Sequence, residues 1–318
     1  MRPKLIYLDT NLWNRLNDQN IDPDKLVSDL RDKNAMLVLS GQTVYEFSRT
    51  FFGSKSDAVS RAQELFKYLR RYLAAGIVCA HDVMEQLKGE IAALNSGRGA
   101  VVVFYDPQQY AMVTEEVEKL ANGVPDEKAE EFIRDRRRFS ESTRSDQKNH
   151  FEVKQHMKTL LNATSKSELP VWLETKVAGN DGAAILASHI LRMYDNVPPE
   201  AAINTAIALL GFAPPRVSKG IVRADLYYNW RCATRGSNSK DLVDDLYHVL
   251  NASYCDIYAT AEPAQAGYAP LILTGPTLVA IYDGQLPIDQ WLLDVMCDDE
   301  DPSSGADQAD RQLMENPS

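Results

Sequence analysis

The sequence predicts an α/β fold, a parallel sheet covered by helices. Three observations carry that reading. Short, wholly apolar runs of strand length recur near both ends of the chain. Segments with helical spacing of their apolar residues follow those runs. Polar caps or glycine mark the junctions between the two. Runs that are apolar without alternation suit strands buried on both faces, as in a parallel sheet.

The first run, Lys4 to Leu8, is rich in strand formers. Asp9-Thr10-Asn11 ends it, and Leu12 to Leu16 reads as helix with Thr10 or Asn11 as its N-cap. A second helix is expected from Asp22-Pro23 to Lys33, with proline near its start. Ala35 to Leu39 is the second strand, closed by Ser40 and Gly41, and Gln42 to Phe52 is helical again. From Asp57 to Ala75, apolar residues at Ala58, Ala62, Leu65, Phe66, Leu69 and Leu73 are spaced by three and four, and Gly76 closes the helix. Ile77 to Ala80 is a third strand, followed by a helix from Asp82 to Leu94. The first 95 residues thus read β-α-α-β-α-α-β-α. Alternation resumes late: Lys240 to Asn251 as helix, then Asp256 to Thr260 and Leu278 to Tyr282 as strands.

Residues 96–235 read differently, as a mainly helical insertion whose only candidate strand is Ala100 to Tyr105. Within it, Glu127 to Lys158 is densely charged and includes Arg134, Arg136, Arg137 and Arg138. Such a run is either a solvated helical face or a phosphate-contacting one. The expected organisation is a core of residues 1–95 and 236–293, the insertion, and a tail over 294–318. That tail carries eight acids against one base, or −7 of the net charge of −11, leaving −4 for everything else. The acidic balance therefore says little against a nucleic-acid partner. The tail is also poor in apolar residues and is expected to be disordered.

Other classes are excluded more simply. Cys79, Cys232, Cys255 and Cys297 form no CxxC pair, and no HExxH occurs, so zinc clusters and disulfide scaffolds are not indicated. No stretch approaches the roughly 20 apolar residues of a membrane helix. The apolar run after Met1-Arg2-Pro3-Lys4 is too short for a targeting segment. A cytoplasmic location is the expectation.

Ligands of open parallel sheets bind at the carboxyl ends of the strands. Four acidic positions are expected there. Asp9 ends the first strand, where a helix cap is the plain alternative. Glu46 lies one turn into the helix after the second strand, where the dipole favours a carboxylate in any case. In the segment Asp241-Leu-Val-Asp244-Asp245-Leu-Tyr-His248, residues Asp241, Asp245 and His248 share one helix face. Stacked acids repel unless a cation lies between them. Glu262 follows the strand ending at Thr260. Asp256, at that strand's beginning, would lie about 13 Å from the far edge at about 3.3 Å per residue, so Glu262 ranks above it. Oxygen ligands without a Cys or His cluster suit Mg²⁺ or Mn²⁺, ions that serve phosphoryl chemistry. A phosphatase using Asp9 as nucleophile would want a second aspartate two residues on, where Asn11 stands.

These residues together resemble the PIN-domain nuclease family. The opening Ile6-Tyr-Leu-Asp9-Thr-Asn11 is similar to its first motif, Glu46 to its helical glutamate, and Asp245 with the strand ending Thr260-Ala-Glu262 to its late segment. The resemblance covers residues 1–95 and 236–293. It implies a sheet of order 3-2-1-4-5 and a metal-dependent hydrolase, an endoribonuclease of single-stranded RNA. It implies Asp9, Glu46, Asp245 and Glu262 as catalytic, metal-binding carboxylates, with Asp241 or Asp244 as a further candidate. Asn11 and Thr260 would support the site; outside the resemblance, Arg134, Arg136, Arg137 and Arg138 of the charged run are the candidate RNA contacts. Glu262 stands where the family usually has Asp. A catalytically degenerate binding or scaffold protein is the alternative. The partners left open besides RNA are a protein inhibitor of the antitoxin kind and a second copy of the chain.

Overall fold

The structure is a computed structural model and describes residues 2–97, 101, 103–131, 133–135, 165–211, 216–235 and 242–298. Its elements run β1 (Lys4–Leu8), α1 (Thr10–Asp18), α2 (Pro23–Asp32), β2 (Ala35–Ser40), α3 (Gly41–Thr50), α4 (Ala58–Ala75), β3 (Val78–Ala80) and α5 (Val83–Ser96). Then follow α6 (Pro107–Asn122), α7 (Leu169–Ala178), α8 (Asn180–Met193), α9 (Pro199–Gly211), α10 (Val217–Arg235) and α11 (Leu242–Asn251). The chain ends in β4 (Ile257–Thr260), α12 (Pro263–Ile272), β5 (Leu278–Ile281) and α13 (Ile288–Asp298).

The five strands form one sheet in the order β3-β2-β1-β4-β5, and every pair is parallel. The α/β class and the strand order expected from the sequence are those observed. All five carboxyl ends therefore share one edge. β1 is central, so the residue after it sits between the ends of β2 and β4.

Successive side chains of a strand point to opposite faces, and the two faces bury separate cores. Leu5, Tyr7, Val38, Ala80 and Tyr258 pack under α5 and α7 to α12. Ile6, Leu8, Leu37, Leu39, Cys79, Ile257 and Ala259 pack under α1, α2, α4, α6 and α13. The central helices are thus layers of the same core: α7 to α10 cover one face and α6 the other. Fully burying one such aliphatic or aromatic side chain contributes about 1.5–3 kcal/mol.

Four local expectations change. The N-cap of α1 is Asp9, not Thr10 or Asn11: its backbone is extended (φ −67°, ψ 168°) and its carboxylate accepts from the Leu12 amide. In the segment proposed as strand Ala100 to Tyr105, the described residues make no ladder. Phe104 forms an isolated antiparallel bridge with Ala80 at the sheet's edge. The helix α12, not expected from the sequence, carries Pro270 inside it, where proline removes a helical hydrogen bond. Finally, α13 continues to Asp298, past the expected start of the acidic tail at Asp294; residues 299–318 lie outside the described residues. At the end of α4, Gly76 adopts φ +89°, as a left-handed cap requires. No helix among the described residues is long and apolar enough to cross a membrane.

Candidate functional site

Asp9 is fixed by two elements at once. Register pairs Leu8 with Ala259, so the next step sets Asp9 beside Thr260. The Thr260 hydroxyl donates to Asp9 Oδ2 at 2.6 Å, and the Leu12 amide donates to Oδ1 at 2.8 Å. Asp9 is 1% exposed. Burial pushes its carboxyl above the usual carboxylate range, against the opposing pull of the Thr260 and Leu12 hydrogen bonds and the His248 charge. Behind Thr260 stands buried Gln265, whose Oε1 accepts from the Tyr258 hydroxyl at 2.6 Å and lies 3.1 Å from Thr260 Oγ1. The Glu262 amide donates to Thr260 Oγ1 at 2.9 Å.

Glu46 is placed by α3, which Ser40 caps at the end of β2. Its Oε1 accepts from Gln42 Nε2 and lies against His248 Nε2, both at 2.9 Å. His248 comes from α11 and is 1% exposed. Its Nε2 is also 3.0 Å from Thr10 Oγ1, and its Nδ1 is 2.8 Å from the Tyr7 hydroxyl, itself 2.7 Å from Ser40 Oγ. Burial alone would raise the Glu46 carboxyl, but the His248 charge and the hydrogen bonds from His248, Thr10 and Gln42 win and hold it at about 2. Burial alone would lower His248, but Glu46 first, then Asp9 and Asp245, raise it.

The two adjacent aspartates of α11 separate. Asp244 is buried and paired with Arg49 Nη1 at 2.8 Å. Asp245 is half-buried, and its charge bears on His248, Tyr258 and Tyr268, as does that of Asp9 on the same three rings. Arg49–Asp244 and Glu46–His248 form two rungs between α3 and α11, with the acid on opposite helices in each. Glu262 is exposed and accepts from Asn11 Nδ2 at 2.9 Å. Asp256 lies at the opposite edge, held by Arg2 Nη2 at 2.8 Å and the Leu5 amide at 2.9 Å.

The structure therefore puts Glu46 in contact with His248, lets the charges of Asp9 and Asp245 bear on the same imidazole, and keeps Thr260 and Asn11 in contact with acids. Asp241, Arg136, Arg137 and Arg138 lie outside the described residues. Arg134 is exposed and ion-pairs with Glu130 at 3.6 Å on its own helical turn. Among the described residues, no three His, Cys, Asp or Glu side chains are grouped closely enough to hold a metal ion as they stand.

Sequence reasoning missed Tyr7, Ser40, Arg49 and Gln265. Tyr7 had a usable signal: two residues before Asp9, it points to the same face of β1. Arg49 had another, three residues after Glu46 on α3 and so beside it. Scanned against protein-family models, curated proteins and solved structures, the chain finds no match.

Proposed function

We propose that the protein is a Mg²⁺- or Mn²⁺-dependent endonuclease of the PIN-like kind, cleaving single-stranded RNA at the carboxyl edge of its sheet. One observation carries the reading. Three carboxylates, Asp9, Glu46 and Asp245, bear on one buried imidazole. Like charges gathered at one place repel, and a divalent ion among them relieves that repulsion. Hard oxygen donors are the ligands Mg²⁺ and Mn²⁺ prefer. Asp9, Glu46 and Asp245 would hold the ion. When bound, such an ion lowers the pKa of a water nucleophile and stabilises the charge of the leaving oxygen. The chain's own part is to fix the acids: Thr260 and the Leu12 amide orient Asp9, and His248 and Gln42 orient Glu46. RNA rather than DNA follows from the family resemblance.

A specific observation favours a second reading, a non-catalytic PIN-like binding or scaffold protein. Glu46, Asp244 and Glu262 each already have a protein donor, in His248, Arg49 and Asn11. On that reading the α3–α11 rungs are a structural clamp.

Incubating the purified protein and Asp9→Asn with Mn²⁺ and single-stranded RNA decides between them. Cleavage by the parent and not by the variant is expected. An inert parent, together with calorimetry that finds no divalent-ion binding sensitive to Asp245→Ala, rejects the nuclease.

A further inference from the structure

Glu46 is reached by a chain of three buried side chains from three separate elements. Ser40 at the end of β2 touches Tyr7 of β1 (2.7 Å), Tyr7 touches His248 Nδ1 of α11 (2.8 Å), and His248 Nε2 touches Glu46 Oε1 of α3 (2.9 Å). Ser40, Tyr7 and His248 are each no more than 1% exposed, so no solvent competes for these bonds. The donors and acceptors close consistently. With a neutral imidazole, Ser40 donates to Tyr7, Tyr7 to Nδ1, and Nε2–H to Glu46. With a charged imidazole the first two donations reverse and the last is unchanged. Glu46 keeps its donor either way. The Tyr7 ring also packs edge-on against the imidazole, with centroids 5.9 Å apart, which fixes the plane in which Nε2 points.

We infer that His248 is a positioning residue, held by Tyr7 and Ser40, that fixes the Glu46 carboxylate. The inference rests on the nuclease reading for its consequence, and gives that site a built-in orienting group. Outer partners of metal-ligating carboxylates are worth about 10–100-fold in ion affinity.

Tyr7→Phe is the cleanest probe, since it removes one hydroxyl and leaves the ring in place. Mn²⁺ affinity is measured by calorimetry for the parent, Tyr7→Phe, Glu46→Gln and the double variant. Tyr7→Phe is expected to weaken binding about tenfold, and the double variant to bind no more weakly than Glu46→Gln alone, because Tyr7 acts only through Glu46. Losses that add, or a Tyr7→Phe affinity equal to the parent's, overturn the inference. If the parent binds no Mn²⁺, the nuclease reading falls, and the melting temperatures of the same four proteins decide the positioning role. A double-variant loss smaller than the sum of the single losses supports it, and additive losses overturn it.

Discussion

Two of the buried carboxylates, Asp9 and Glu90, are held in different ways. Glu90 of α5 is 4% exposed and sits at the start of α10. It accepts from the amides of Arg216, Val217 and Ser218 at 2.7–3.0 Å and from the Tyr254 hydroxyl. A helix start supplies unpaired amides and a positive dipole end, so this anion is fully compensated. Asp9 takes the Leu12 amide and the Thr260 hydroxyl with a further backbone pull from Ala261, and two more acids bear on the same imidazole. Burial of a carboxylate therefore does not mark a site in this molecule. What sets Asp9 apart is that Glu46 and Asp245 bear on the same imidazole as it does.

Asp9→Asn should break that contrast most visibly. Cleavage is expected to fall about 10²–10³-fold or more, the scale of losing one preorganised electrostatic group at a reacting centre. Stability should not fall with it. The raised Asp9 carboxyl means the charged form is disfavoured by folding, so a neutral isostere should melt at the parent temperature or above at neutral pH. Parent-like cleavage would make Asp9 merely another capping acid. The mirror experiment is Glu90→Ala, which orphans three amides and a phenol. Unfolding in denaturant should show a loss of about 3 kcal/mol, with cleavage per folded molecule unchanged.

The sheet was legible because its strands are apolar runs bounded by polar or glycine residues, and Asp9 was legible as the acid that ends the first of them. Glu46 followed from its place one turn past Ser40. What surrounds them was not legible, because the pairings span most of the chain: Glu46 and His248 are 202 residues apart, Arg49 and Asp244 195. Shared helix faces were readable from spacing within α11, but not which element would face them. Thus His248 was placed beside Asp245, while Tyr7 and Glu46 as its partners needed the register of β1 and the packing of α3. The same limit applied to the cap of α1. Three adjacent polar residues could each have capped it, and only the extended backbone of Asp9 distinguishes them.

The Glu46–His248 pair makes the contrast dependent on pH. Glu46 is depressed from 4.5 to about 2, so its contribution to stability is complete above about pH 4.5 and lost as pH falls toward 2. His248 is raised above 6.5, so its contribution is complete below about pH 6.5 and lost as pH rises through the raised value. Both are present together between about pH 4.5 and 6.5. Melting curves across pH should show Glu46→Gln costing most in that window and less above it. A cost that is flat across pH would mean that the imidazole does not change charge over that range.

Glu262 gives the smallest effect and the sharpest limit on the contrast. It is exposed at the start of α12, caps nothing with its own side chain, and among the described residues is held by Asn11. Glu262→Gln keeps an acceptor for Asn11 and removes only the charge, so stability should change by less than about 0.5 kcal/mol. A solvent-screened charge contributes at most about 1 kcal/mol to a neighbour, which corresponds to about a fivefold change in rate. Cleavage by Glu262→Gln is therefore expected to fall no more than about fivefold, far less than by Asp9→Asn. A loss matching that of Asp9 would show that Glu262 leaves solvent and joins the buried acids when substrate binds. Exposure in the free protein would then not exclude a carboxylate from acting.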